Sequence, residues 1–167
     1  MFVFFSSCGC CEEKQKDLTY THDFESLQGW TNHPYGLEKG IAHSGDFSCK
    51  TDTLARYSYN FQLDLNTISK RPLGKVSAIL WALKSNESAT GDLIIEITDK
   101  DGKNLCWASY PLTSAAAGAH EWIEIEGFAD LSKKGLNDPA NKINIVFVNS
   151  GKARIDVDDF EIKFENL

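Results

Sequence analysis

The sequence predicts an all-β protein, a jelly-roll-like β-sandwich of about nine antiparallel strands. Three observations predict it. Runs of alternating apolar and polar residues recur along the chain, as strands that bury one face require. Turn-forming Gly, Asn, Asp and Ser clusters separate those runs. No stretch sustains the 3.6-residue apolar period of a long amphipathic helix.

The chain has 167 residues, enough for one domain with a substantial core. A formal charge of -7 argues against a nucleic-acid partner, and no basic run or basic-aromatic interleaving offsets it. Residues 1–17 differ from the rest. Met1 to Phe5 is apolar and Ser6-Ser7-Cys8 follows, which resembles the end of a bacterial lipoprotein signal with Cys8 as the lipidated residue. The polar, charged Glu12 to Asp17 suits a tether, and resembles the acidic patch of Bacteroides-type surface lipoproteins. The resemblance implies a lipid-anchored protein of the cell envelope or cell surface (outer membrane), touching membrane only through that anchor. A disordered tail with clustered thiols is the alternative. The expected organisation is a signal remnant and tether over 1–17 and a sandwich domain over 18–167.

Leu18, Tyr20, His22 and Phe24 alternate with polar residues, which reads as a half-buried first strand. A turn-rich loop carries Gly29-Trp30 and Asn32 to Gly36. Gly40 to His43 is expected to start a short strand, Ser44-Gly45-Asp46 to turn, and Phe47 to Thr51 to return. Arg56 to Leu65 reads as the clearest strand. Tyr57, Tyr59, Phe61, Leu63 and Leu65 take one face, and Ser58, Asn60, Gln62 and Asp64 a wet or ligand-facing one. Lys75 to Lys84 is more continuously apolar and is expected to be buried on both sides. Leu93 to Thr98 and Asn104 to Tyr110 form a hairpin around Asp99 to Lys103. His120 to Phe128, Lys142 to Val148 and Ile155 to Phe164 complete the set, with a long loop from Ala129 to Asn141 that has room for one helical turn. Cys49 and Cys106 fall within strands, and nothing in their spacing suggests zinc.

The last strand is irregular. Ile155 and Val157 share one parity, and Phe160, Ile162 and Phe164 the other, so the register slips at Asp158-Asp159. A β-bulge explains the slip. By the second parity Asp158 lies with the large apolar residues, where a carboxylate is costly unless hydrogen bonds or a cation compensate it.

Three separated pieces occur in one order: Asp23-Phe24-Glu25 with Gly29-Trp30, Ala42 to Ser48, and Val157 to Ile162. With the strand around Trp122 they resemble the galactose-binding-like jelly-roll domains, a form shared by many carbohydrate-binding modules. The resemblance implies a structural calcium ion where the first strand, the small turn and the last strand meet. Asp23, Glu25, Ser44, Asp46 and Asp158 are the positions it marks, with Asp159 the lesser candidate. Calcium takes six to eight oxygens of mixed carboxylate and carbonyl origin, so distant strand ends suit it.

The resemblance also implies carbohydrate or another extracellular ligand, without naming it. Aromatic faces stack on sugar C–H surfaces while amides and carboxylates bond hydroxyls. Trp107, Tyr110 and Tyr35 are the freer aromatic candidates, and Trp81 a further one whose alternative is core packing beside Ile79 and Leu83. Asn60 and Gln62 line the polar face. Trp30 and Trp122 coincide with structural positions. Two other readings compete: an adhesin-like interaction module with no sugar site, and a glycoside hydrolase using Glu124 and Glu126. The sequence carries no serine elbow, phosphate loop, dinucleotide fingerprint or metalloprotease histidine spacing. A non-catalytic binding domain is the leading expectation.

Overall fold

A computed structural model describes residues 18–26, 36–112 and 118–167. Ten strands form there: β1 (Leu18–His22), β2 (Leu37–Lys39), β3 (Phe47–Thr51), β4 (Phe61–Asp64), β5 (Leu73–Lys84), β6 (Gly91–Thr98), β7 (Asn104–Pro111), β8 (Trp122–Asp130), β9 (Lys142–Asn149) and β10 (Ile155–Asn166). One helical turn, α1 (Leu65–Ile68), follows β4. The fold is the expected all-β sandwich. One sheet runs β2-β3-β10-β5-β8 with β1 joined to β10, and the other runs β4-β9-β6-β7. Every pairing is antiparallel.

The core fills the space between the sheets. From β5 come Val76, Ala78, Leu80 and Ala82; from the facing sheet come Leu93, Ile95, Ile97, Ile143, Ile145 and Phe147, all fully buried. Each large side chain contributes about 1.5–3 kcal/mol through area removed from water. Phe147 also fixes a backbone choice. A Cβ built on Gly91 meets the Phe147 ring, so only glycine lets the ring lie against that strand. Phe147→Ala would open a cavity costing about 3–5 kcal/mol.

The structure departs from expectation in four places. Gly40 to His43 is not a strand: Gly40 has φ +86° and donates its N–H to Asp46 O, so the chain turns and the strand is Leu37–Lys39. β5 is not buried on both faces. From Lys75 onward it alternates strictly, with Ile79, Trp81 and Leu83 half-buried on the outer side. The long loop after β8 holds turns and no helix.

The expected strand from Arg56 to Leu65 is broken. Regular pairing places Phe61 opposite Ile145, but Tyr57, and not Ser58, bridges Val148. One extra residue is therefore inserted opposite Phe147, the signature of a bulge. Ser58 holds it, because its N–H donates to Phe147 O (2.9 Å) and its Oγ accepts the Phe147 N–H (3.0 Å). Tyr59 stays in the core, while Tyr57 is turned onto the outer, polar face.

Candidate functional site: a cleft on one sheet and a clasp on the other

The outer face of the four-stranded sheet is ruled into rungs by its register. Gln62, Asn144, Glu96 and Trp107 make one rung. Val146, Ile94 and Ser109 make the next, and Tyr57, Val148, Asp92 and Pro111 the third. A cleft of about 420 Å³ lies over these rungs. Its floor is apolar, from Ile94, Val146 and Val148, and its polar lining includes Asn60, Glu96 and Asn144. Tyr57 and Trp107 border it at 66% and 58% exposure, unusual for large aromatics in a folded domain. They stand three strand spacings and four residues apart, roughly 14 Å across and 13 Å along the sheet.

The polar groups are ordered by one acceptor. Glu96 accepts from Asn104 Nδ2 at 3.0 Å and from Asn144 Nδ2 at 3.4 Å. Asn144 Oδ1 in turn accepts from Asn60 Nδ2 at 3.1 Å. An ionised carboxylate only accepts, so both neighbouring amides must aim NH₂ at it. A second polar pair joins the next two rungs, Ser109 Oγ donating to Asp92 Oδ1 at 2.9 Å.

The second cluster lies on the outer face of the other sheet. Pairing between β10 and β5 shifts between Asp158 and Glu161, and Asp159 has φ +47°. The expected bulge is present, and Asp159 is the inserted residue. Asp158 pairs with Trp81 and so faces outward, opposite Phe160, Ile162 and Phe164. The expectation that it shares their face is corrected. It is nevertheless fully buried, because the turn after β2 roofs it. Its Oδ2 accepts the N–H groups of His43 (2.7 Å) and Ser44 (3.2 Å), and its Oδ1 that of Asp159 (2.8 Å). Burial outweighs those bonds and pushes its pKa up to about 6. Asp159 holds the same turn through His43 Nδ1 (2.6 Å) and Ser44 Oγ (2.7 Å). Glu25 Oε1 accepts the N–H groups of Asp46 and Phe47 at 2.7 and 2.8 Å.

No family model matches this sequence, and no curated protein matches it. Solved structures do. The CBM22-2 xylan-binding domain from Paenibacillus barcinonensis superposes with a TM-score of 0.60 at 17% identity, over 86% of this chain and 97% of that one. The xylan-binding domain from CBM 22 gives 0.59 at 13% identity, over 88% and 93%. The C-terminal family 22 carbohydrate binding module of Clostridium thermocellum gives 0.57 at 14% identity, over 88% and 92%. The fold is that of a carbohydrate-binding module.

On this fold the expected ligand residues divide. Trp107 and Asn60 line the cleft, and Gln62 is exposed on the Trp107 rung. Tyr110 does not line it. It points between the sheets, packs on the core, and its hydroxyl donates to the Phe128 carbonyl across the β7–β8 seam. Trp81 is on the opposite sheet beneath His43. Tyr35 and Cys8 lie outside the described residues. Tyr57, Glu96 and Asn144 are residues of the cleft that the sequence reading misses. Glu96 and Asn144 are legible as polar residues at outward positions of otherwise apolar strands, whereas Tyr57 depends on the bulge.

The five calcium positions are brought near one turn, but by amides. Asp23 Oδ1 accepts the Glu25 N–H, Ser44 Oγ is engaged by Asp159, and Asp46 is exposed. Among the described residues no three His, Cys, Asp or Glu side chains gather as a metal group. Glu124 and Glu126 are exposed on β8, in the sheet opposite the cleft. Cys49 and Cys106 are free thiols, and burial pushes the Cys49 thiol up to about 12.

Proposed function

We propose that this domain is a non-catalytic carbohydrate-binding module that holds a linear, xylan-like chain along the cleft of the four-stranded sheet. One observation carries the reading: two exposed aromatic side chains border a shallow cleft whose polar lining is amide and carboxylate. Such surfaces suit sugars, since rings stack on aromatic faces and hydroxyls bond to flanking polar groups. The cleft's extent favours a ligand of several rings over a single one. Family 22 xylan-binding domains with the same fold support the choice of xylan as first probe. Titration with xylohexaose tests it. Saturable binding that weakens by about thirtyfold in Trp107→Ala is expected, and no binding to xylohexaose or any glycan of a broad array refutes it.

Two further parts of the proposal concern the setting. Lipidation at Cys8 would place the domain on the cell surface, its anchor being its only membrane contact; labelling with a fatty-acid analogue, abolished by Cys8→Ala, tests this. Calcium would be held beside the turn by Glu25 Oε2 and Asp158 Oδ1, which retain lone-pair capacity while Glu25 Oε1 and Asp158 Oδ2 each accept two amides. Its role would be structural.

A further inference from the structure

We propose that the cleft selects for neutral glycans and rejects chains carrying carboxylates, with Glu96 as the discriminating residue. The inference rests on the sugar-binding reading and adds the charge class of the ligand.

Glu96 stands at the centre of the face, between Asn144 and Trp107 in its rung. The amides around it are committed: Asn104 and Asn144 both aim NH₂ groups at its two oxygens. Donors that could otherwise receive an anion are therefore turned toward a protein anion. What Glu96 itself offers a ligand is acceptor capacity. A sugar hydroxyl donates as well as accepts and meets that demand. A ligand carboxylate only accepts, so it would set lone pairs against lone pairs and like charge against like charge.

No lysine or arginine lines the cleft among the described residues. Across the whole outer face the rungs carry Asp64, Asp92 and Glu96 against Lys142. Lys142 sits on the outermost rung between Asp64 and Thr98, two residues beyond Asn144 on its strand. The net charge of -7 adds a long-range field of the same sign.

The experiment compares three probes by titration calorimetry: xylohexaose, glucuronate-branched xylohexaose, and the carboxyl methyl ester of that branched chain. The ester has nearly the acid's shape without its charge. In 20 mM salt the acid is expected to bind at least about tenfold more weakly than its ester, roughly 1.4 kcal/mol. The gap should narrow to about threefold or less in 500 mM salt, where exposed charges are screened. Glu96→Gln should narrow it in the same way at low salt. Where that variant also weakens xylohexaose, the salt titration of the unaltered protein decides. Equal binding of acid and ester at low salt overturns charge selection and leaves sugar binding standing. Tight binding of the acid alone overturns it as well. Failure of xylohexaose and every array glycan to bind sinks the sugar-binding reading, and this inference with it.

Discussion

The imidazole of His43 lies flat against the indole of Trp81, with ring centroids 4.0 Å apart and planes 11° from parallel. Trp122 meets the same imidazole edge-on at 5.6 Å. This stack and the Asp159 bond fasten the turn to the six-stranded sheet. His43→Ala is expected to cost about 1–3 kcal/mol, from one aromatic pair and one hydrogen bond. Trp81→Ala should also destabilise. Both variants, once folded, should bind xylohexaose as the unaltered protein does, because the cleft is on the other sheet. Thermal melts with calorimetry separate the two readouts; weaker binding at unchanged stability would restore Trp81 as a sugar platform.

Trp107 and Tyr57 predict the opposite pattern. Their rings are mostly in water, so truncation costs little folding energy, within about 0.5 kcal/mol. Each ring lost from a binding face is expected to weaken xylohexaose by about 2 kcal/mol, some thirtyfold. Tyr110→Phe, by contrast, removes only the bond to the Phe128 carbonyl and should leave affinity intact.

Asp158 predicts a pH signature. Its pKa stands near 6 in the folded protein against an ordinary 3.8, because burial opposes ionisation. The folded state therefore binds this proton more tightly than the unfolded chain. The resulting penalty is absent below about 3.8, grows between pH 4 and 6, and is complete above. Two units correspond to about 3 kcal/mol. Unfolding free energies of the unaltered protein and Asp158→Asn should thus diverge on acidification from pH 7 to 4, the unaltered protein gaining. Other titrating groups, including Asp156, are shared and cancel. Parallel curves across that window would show that burial does not shift Asp158.

Calcium would change that signature. A bound cation stabilises the ionised carboxylate, lowers its folded pKa and flattens the pH dependence. EDTA is expected to lower the melting temperature of the unaltered protein and to leave Asp158→Asn and Glu25→Gln unmoved. An identical melt with and without chelator means that the amides of His43, Ser44 and Asp159 neutralise the site alone.

Gly127 predicts a packing effect at the seam. A Cβ there would enter the Tyr110 ring. Gly127→Ala should cost about 1–3 kcal/mol by overpacking, read as a lower melting temperature.

Most strands are legible in the sequence because one-sided burial writes itself as alternation. β6, β7, β9 and β10 start and end within about two residues of expectation. What alternation cannot carry is a change of parity. At Asp159 the acidic pair betrays the slip, but the covering turn decides burial there, and no count along β10 contains it. At Ser58 there is no slip to see: Tyr57, Tyr59 and Phe61 alternate perfectly, yet a serine side chain enters the ladder and sends Tyr57 outward. Tyr110 and Trp81 illustrate a second limit. An aromatic residue looks the same in sequence whether its partner is a sugar, a carbonyl across a seam or a histidine from a distant turn.

The first described strand begins where the last one finishes, Leu18 lying opposite Phe164. Both ends of the domain therefore leave from one corner of the six-stranded sheet, behind the cleft. Anything joined to either end, a tether or a neighbouring domain, attaches at the back of the molecule. The cleft belongs to the other sheet, so the two strands that carry the attachments take no part in forming it.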